Sequence, residues 1–369
     1  MKLKVGGMAA IGISVALAGV AAPSALARPV TTSTAPRRSI RMRGALWAMA
    51  AGLTLLASAG SAQTGNPGGP INGNLGAPDY GVCRGVDAKC FHNWTRPKSE
   101  TYRVLLFTRT GGPRHQNLGP SLPPGLNPAL AEANVVHKGM LAIAAKNGWT
   151  LDYTEDLAFM TNLSGYHAVV FFSTSRDALD DDGKTALRQY MRAGGGFVAI
   201  HNAFGTMYNW PWYEGLIGGT NYYDHGPHRA GDVVVIDRKD ASTKSLPPHF
   251  GFKDEWYNLV PFPTKVRFLA TVDEKSWTAV PTAPPYPPGA VPRQPPGPRL
   301  PRAVGEHPGH GTFHPVAWCQ YYDGGKVWAT TLGHDAGVFT DPAIPGAAEF
   351  QALITGGVKS VMGAEPFCQ

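Results

Sequence analysis

Short apolar runs alternate with helix-like segments through the middle of the chain. The runs at 102–108, 167–172 and 196–201 are nearly continuous in apolar residues, which is typical of strands buried on both faces of a parallel sheet. Residues 128–147 carry apolar side chains at helical spacing, and residues 180–193 begin with acids and end with arginines, as the helix dipole favours. This order implies βαβ crossovers, so we predict an α/β fold with a doubly wound, mostly parallel sheet and helices on both faces.

Further strands are predicted toward the C-terminus, at 232–236, 266–271, 316–321 and 326–331. The Asp-Gly-Gly sequence at 323–325 separates the last two strands and has the composition of a tight hairpin turn. Residues 345–362 are expected to form a closing helix. The main domain is expected over 101–363, with a proline-rich excursion at 281–308 that cannot be regular structure.

The first 62 residues have the composition of an export leader. Lys2 and Lys4 precede an apolar stretch and the Ala-Leu-Ala sequence at 25–27, which is the order of a secretory signal peptide. The pattern repeats after Arg37, so either Met42 is the true start or the first segment is a start-site error or a fusion. An uncleaved anchor is the alternative, although both apolar cores are shorter than the roughly 20 residues that span a bilayer. We expect an exported protein, periplasmic or extracellular, without stable membrane insertion after the leader is cleaved.

The net charge does not indicate a nucleic-acid partner. The chain has 33 basic and 26 acidic residues, a formal net charge of +7. Seven of the basic residues and none of the acidic ones lie in the leader at 1–62, so the mature chain has 26 of each sign. A nearly neutral chain lacks the basic excess that is typical of nucleic-acid-binding proteins.

Four cysteines fit an oxidising compartment. Cys83 and Cys90 lie close together in a Gly- and Pro-rich arm at 63–100, where we expect a short-range disulfide. Cys319 and Cys368 are either a second pair or two free thiols. A zinc site at the first two cysteines is disfavoured, because their spacing is wider than that of zinc-binding cysteine pairs.

Three histidines are expected at one edge of the sheet. His115, His201 and His334 each follow a predicted strand, and open parallel sheets bind ligands at the carboxyl ends of their strands. Histidine titrates near neutral pH and therefore suits acid–base catalysis. A histidine at a strand end is also often only a hydrogen-bonded packing residue, and the sequence alone leaves that alternative open.

Two further segments supply candidates for the same edge. Asp254 and Glu255 stand beside Trp256 and Tyr257, and a carboxylate next to aromatic surface can have a raised pKa and act as an acid. An exposed turn with solvated charges is the alternative.

Residues 208–213 are the densest aromatic stretch and include Trp210 and Trp212. Flat rings with polar edges suit the faces of sugar rings. Packing of these rings onto the sheet is the structural alternative.

The number of histidines raises the question of a metal. Asp224, His225 and His228 could supply ligands, whereas His307 and His310 adjoin the proline-rich excursion and are expected to be incidental. No tight HxH, HExxH or CxxC set is present. The sequence shows no required cofactor, and a divalent metal is an open alternative.

An ordered set of short motifs resembles the trehalose-utilisation (ThuA-like) family. The motifs stand in family order at 110–115, 169–172, 192–201, 210–213, 254–257, 314–318 and 324–334. The resemblance covers about 102–362 and implies a flavodoxin-like fold of the class I glutamine amidotransferase-like superfamily. It also implies a role in disaccharide or glycoside catabolism, including that of oxidised (keto) sugars. The chain departs from the family in its proline-rich excursion and at 223–226, which leaves the substrate class open.

The resemblance does not imply amidotransferase activity. Class I glutamine amidotransferases carry a nucleophilic cysteine at a sharp turn after a central strand, and the matching turn here holds His201 and Asn202. No thiolate is therefore available there to form a thioester. Cys319 lies inside a predicted strand and cannot substitute easily.

We predict an exported enzyme, a lyase, isomerase or hydrolase, that acts on a small-molecule carbohydrate by histidine and carboxylate acid–base chemistry. His201 is the expected central acid or base, with Glu255 and His334 as its partners. Substrate contacts are expected from His115, Asn202, Trp210, Trp212, His225, Asp254 and Tyr257. Proton abstraction next to a keto group fits this set better than glycosidase chemistry, which requires two carboxylates flanking one bond. The alternatives are a non-catalytic carbohydrate-binding module and a metal-dependent hydrolase.

Overall fold

The computed structural model describes residues 81–93, 101–279 and 307–369. The strands in these residues are β1 (Arg84–Gly85), β2 (Arg103–Phe107), β3 (Thr150–Thr154), β4 (Ala168–Phe172), β5 (Gly196–Ile200), β6 (Tyr222–His225), β7 (Arg229–Val235), β8 (His249–Asp254), β9 (Tyr257–Leu259), β10 (Arg267–Asp273), β11 (His314–Tyr322) and β12 (Gly325–Thr330). The α-helices are α1 (Val135–Asn147), α2 (Asp181–Arg192), α3 (Pro211–Leu216), α4 (Gly337–Thr340) and α5 (Ala347–Val361).

Five parallel strands form one half of the main sheet, in the order β3-β2-β4-β5-β12. Every residue of β4 and β5 is buried, because helices cover both faces of this half. This doubly wound core confirms the predicted fold class. The closing helix is also confirmed, since α5 lies within the expected range.

The sheet continues beyond β12 with antiparallel strands, in the order β12-β11-β10-β7-β8, and β1 pairs with β11. β11 and β12 form the hairpin expected at 323–325. Asp323 and Gly324 have φ values of 46° and 92°, the left-handed conformation that a two-residue hairpin turn requires. β6 and β9 form a separate two-stranded sheet, so the predicted parallel core is extended by antiparallel strands that the βαβ pattern does not reveal.

Side chains at alternate positions of the parallel strands pack into two apolar layers. Val104 and Leu106 of β2 belong to the layer that α1 and α5 complete. Leu105 and Phe107 of the same strand belong to the layer that α2 and α3 complete. Burial on both sides keeps the strand ends in fixed positions, and the candidate site lies at those ends.

Both cysteine pairs form disulfides in the structure. Cys83 is bonded to Cys90, as expected, and Cys319 is bonded to Cys368. Cys319 and Cys368 are therefore a second disulfide pair and not two free thiols, the alternatives that the sequence left open. It ties the C-terminal end of the chain to β11.

Some expectations fall on residues outside the described ranges. These are the leader at 1–62 with its candidate start Met42, most of the arm at 63–100, and the proline-rich excursion at 281–308 except its last two residues. Among the described residues, no helix combines the length and apolar character needed to cross a bilayer.

Candidate functional site

Three loops that follow parallel strands bring three histidines together. His115 lies beyond β2, His201 follows β5 directly, and His334 lies beyond β12. The ring centroids of His201 and His334 lie 4.6 and 5.3 Å from that of His115, and 5.4 Å from each other. The rings are inclined to one another by 73° to 82°, so they meet edge to face and do not stack.

Glu255 supplies a carboxylate between the three imidazoles. Its Oε2 lies 3.1 Å from His334 Nδ1 and 3.9 Å from the Nε2 atoms of both His115 and His201. Glu255 follows β8, on the antiparallel side of the sheet, and so comes from a different part of the fold. These four residues, His115, His201, Glu255 and His334, are called the His–Glu cluster below.

The electrostatics of the His–Glu cluster favour an ionised Glu255 carboxylate beside a protonated His334. Burial opposes ionisation of Glu255, but the surrounding imidazoles outweigh burial and hold the pKa of this carboxyl well below its usual range. Burial likewise opposes protonation of His334, but the Glu255 carboxylate raises the pKa of that imidazole. His334 Nδ1 lies 3.1 Å from Glu255 Oε2, and this close contact is the main reason for the rise.

His201 occupies the sharp turn expected after β5. Its φ is 53°, a left-handed conformation that residues other than glycine adopt only at some cost in strain. The side chain is completely buried. Nδ1 lies 2.9 Å from the Thr331 carbonyl oxygen and must donate to it, so Nε2 carries the lone pair. Nε2 accepts a hydrogen bond from the Tyr257 hydroxyl at 2.9 Å.

This geometry bears on the predicted role of His201 as the central acid or base. Burial, together with the charge of His115, lowers the pKa of His201 well below its ordinary value, so the ring stays neutral. Both of its nitrogens are already hydrogen-bonded. These contacts favour a positioning role for His201, and its role as the central acid or base remains a prediction.

Tyr257 and His225 line the cluster from the side of the two-stranded sheet. The Tyr257 ring stacks on His201 with centroids 4.7 Å apart, and burial raises the pKa of this phenol well above its usual value, so it remains a donor. His225 Nε2 lies 3.7 Å from Glu255 Oε1, and its side chain is 23% exposed. His225 Nδ1 lies 2.6 Å from the Gly226 carbonyl oxygen and donates to it, which fixes the ring while Nε2 faces Glu255.

Asp254, predicted as a substrate contact, is engaged with the backbone of two loops. The residue is completely buried. Oδ1 accepts the N–H of Glu255 at 2.8 Å, and Oδ2 accepts the N–H of Gly333 at 2.7 Å. Burial raises the pKa of Asp254 to about 7. The side chain therefore joins the loop of Glu255 to the loop of His334 and positions both.

The two tryptophans, which were predicted as substrate contacts, lie away from the His–Glu cluster. Trp212 is buried, and its Nε1 donates to Asp323 Oδ2 at 2.8 Å. Asp323 precedes β12, whereas His334 follows that strand, so Trp212 lies at the opposite end of the sheet, about 20 Å away at the usual rise per residue. Trp210 stacks on Trp212 with centroids 4.8 Å apart. The pair packs onto the sheet, as the structural alternative proposed.

Asn202 and Asn117 connect the loops of the site. Asn202 Nδ2 donates to the Thr174 carbonyl at 3.0 Å and so joins the ends of two neighbouring strands. Asn117, which sequence reasoning missed, donates to the carbonyls of Gly333 and His334 at 2.8 and 2.9 Å. Its place two residues after His115 was the only signal that could have identified it.

The loop of His115 is anchored by a buried polar network. Arg114 forms an ion pair with Glu155 at 2.7 Å. Glu155 also accepts the hydroxyl of Thr108 at 3.1 Å, and that hydroxyl contacts His137 Nε2 at 2.8 Å. The network joins β2, β3 and α1 at the edge of the sheet where His115 lies.

The donor atoms of the His–Glu cluster all lie within 4.8 Å of one another, so these four side chains could hold a metal ion. Asp224 and His228, which the sequence suggested as metal ligands, have other partners in the structure. The Asp224 carboxylate accepts from Asn258 and from the N–H of His307, and His228 Nε2 lies 3.3 Å from Asp335.

Comparison with known proteins identifies the family of the chain. A sequence profile described as ThuA, trehalose utilisation, matches residues 103–359. A ThuA-like protein from Parabacteroides merdae is 17% identical with a TM-score of 0.50, over 72% of this chain and 91% of that chain. A ThuA-like protein from Bacteroides uniformis is 17% identical with a TM-score of 0.49, over 73% and 95%. No curated protein sequence matches the chain. At such identity the Parabacteroides structure shows the fold alone.

Proposed function

The chain belongs to the ThuA family of trehalose-utilisation proteins, and we propose that it is an exported enzyme that acts on a keto-sugar at the His–Glu cluster. The observation that carries this proposal is the convergence of three imidazoles and one carboxylate at the carboxyl ends of the strands. Open α/β sheets bind their ligands at this edge. Burying so many titratable groups together costs free energy, and a packing role alone does not require that cost.

The proposed chemistry is removal of a proton from the carbon next to a ketone. His225 is the proton acceptor, because its side chain is partly exposed, its Nδ1 is held by the Gly226 carbonyl and its Nε2 is turned toward the cluster. The C–H bond breaks, an N–H bond forms, and the electron pair moves onto the ketone oxygen as an enolate. Tyr257, whose phenol keeps its proton, turns its hydroxyl from His201 Nε2 and donates a hydrogen bond to that oxygen. The enolate then either expels a substituent from the neighbouring carbon, which leaves with the proton held by His225, or takes that proton back at another position, giving elimination or isomerisation.

Export is supported by the disulfides and by the composition of the leader. Two disulfides in one chain are typical of proteins from oxidising compartments. A non-catalytic carbohydrate-binding module has weaker support, because Trp210 and Trp212, the rings that would carry it, pack at the other end of the sheet.

The test is a proton NMR time course of the purified protein with trehalose and with its 3-keto form. We expect the keto-sugar to be consumed and trehalose to persist, because only the ketone makes the neighbouring C–H acidic. His225→Gln should lower the rate at least about 100-fold, as the loss of a general base does. His249→Gln is the matched control, because His249 is exposed and paired with Asp232 on the antiparallel strands.

Two results would count against the proposal. Persistence of both sugars with the parent protein would contradict the enzymatic function. Undiminished turnover by His225→Gln would remove His225 from the proton-transfer step.

A further inference from the structure

We propose that the His–Glu cluster binds one divalent transition-metal ion through His115, His201, Glu255 and His334. The metal-binding step stands on geometry alone, whereas the catalytic role of the ion rests on the proposed function. Neither the family match nor the related structures name a metal for this chain.

The spacing of the donor atoms matches that of ligands around one ion. Tetrahedral ligands about 2.1 Å from a metal are about 3.4 Å from one another. Glu255 Oε2 is 3.1 Å from His334 Nδ1 and 3.9 Å from the Nε2 atoms of His115 and His201. All four donor atoms lie within 4.8 Å of one another. Small side-chain rotations therefore suffice to bring them to bonding distance of a shared ion.

A buried nitrogen without a partner points to the same conclusion. His334 Nδ1 is buried and has no hydrogen-bond partner. It lies 3.1 Å from Glu255 Oε2, a separation that suits two ligands of one ion. Buried nitrogens are rarely left unsatisfied. An ion bonded to both atoms would satisfy the imidazole and the carboxylate together.

The groups behind the ligands have the arrangement that metal sites use. His201 Nδ1 donates a hydrogen bond to the Thr331 carbonyl, which fixes the ring and turns Nε2, now bonded to the Tyr257 hydroxyl, toward the cluster, as is usual for metal-bound histidines. Asp254 holds the backbone of Glu255, and Asn117 holds that of His334. Three of the four ligands are thus oriented by hydrogen bonds from outside the cluster.

An ion would also resolve an electrostatic conflict in the proposed reaction. The enolate would develop its negative charge near the Glu255 carboxylate, and like charges in a buried site repel. A divalent ion offsets both charges and polarises the ketone as a Lewis acid. Tyr257, whose hydroxyl now donates to His201 Nε2, would be released to donate to the substrate oxygen once that nitrogen binds the ion.

The ligand set indicates the class of metal. Three imidazoles and one carboxylate suit Zn²⁺, Mn²⁺, Fe²⁺ or Co²⁺. Ca²⁺ and Mg²⁺ prefer ligands that are all oxygen. We therefore expect binding of zinc and of other first-row ions, and no comparable binding of calcium.

The experiment measures metal content and metal affinity in the full-length protein. Elemental analysis should find about one first-row metal ion per chain, and calorimetric titration of the chelator-treated protein with Zn²⁺ should give one site. His334→Ala should weaken zinc binding at least tenfold, and His249→Ala should not change it. Circular dichroism checks that the variants fold. If His334→Ala does not fold, absorption of the Co²⁺-loaded parent in the visible range reports nitrogen ligation without any variant.

The two proposals fail in different ways. Zinc binding that is absent, or equally tight in the parent protein and a folded His334→Ala variant, overturns the metal site. Full turnover by the chelator-treated protein overturns the catalytic role of the ion and leaves the enzymatic function standing. His225→Gln is expected to keep the metal and lose turnover, because His225 is outside the ligand set. Stoichiometric zinc without any turnover of the keto-sugar would retain the metal site and refute the proposed function.

Discussion

Asp254→Asn tests whether buried hydrogen bonds position the His–Glu cluster. The carboxylate accepts the backbone N–H groups of Glu255 and Gly333 through separate oxygens. An asparagine has the same shape but only one acceptor oxygen, so one of the two N–H groups must face an amide NH₂. A buried donor without a partner costs about 1–3 kcal/mol. For a domain of this size, such a loss lowers the Tm by about 2–12 °C.

The variant should also lose about 10–100-fold in turnover, because groups that orient a reaction centre typically have effects of that size. Thermal unfolding and the keto-sugar NMR assay measure the two effects on the same samples. Asp181→Asn is the matched control, since the Asp181 side chain is 96% exposed and pairs only with Lys184, and it should change stability by under about 1 kcal/mol. A variant at Asp254 with the stability and turnover of the parent protein would refute the positioning role.

Three further predictions concern parts of the fold outside the His–Glu cluster. Burial, together with the charge of Arg114, lowers the pKa of His137 from 6.5 to about 4. As the pH falls between these two values, the unfolded protein binds a proton at His137 before the folded protein does, so the free energy of unfolding decreases by about 2–3 kcal/mol. Urea unfolding at about pH 7.5 and about pH 4.5 should show a smaller loss in His137→Gln, and an equal loss would contradict this. Trp212→Phe should cost about 1–3 kcal/mol through its lost hydrogen bond and leave turnover within about twofold; a selective loss of turnover would return Trp212 to the site. Removal of the Cys319–Cys368 disulfide, whose cysteines are 49 residues apart in sequence, should lower the free energy of unfolding by about 4 kcal/mol. Equal stability of the parent protein with and without reductant would contradict this stabilising role.

The parallel half of the fold could be predicted because its central strands are continuously apolar. β4 and β5 are buried at every position, and only a sheet covered on both faces requires that pattern. β3 gave no such signal, because it contains Asp152, which pairs with Arg103 near the sheet edge. β8 alternates buried and exposed residues and includes a glycine and a lysine, so its weak pattern did not show that a strand precedes Glu255.

The candidate site was predictable where it depended on strand ends. His115, His201 and His334 share one edge because parallel strands end on the same side of a sheet. Residue type alone could not show that Asp254 faces inward while Glu255 joins the cluster, since that depends on hydrogen bonds to a loop far along the chain. The density of aromatic residues likewise did not reveal at which end of the sheet Trp212 lies.

Glu255→Gln offers the most direct test of the claim that the His–Glu cluster is a reaction centre. The substitution removes the charge that the three imidazoles surround and barely changes the shape of the side chain. Glu132→Gln is the control, because the Glu132 side chain is fully exposed and paired only with Lys138. We expect kcat for the 3-keto sugar to fall at least about 100-fold in a folded Glu255→Gln protein, a loss comparable to that of other transition-state groups. Turnover equal to that of the Glu132→Gln control would contradict the claim.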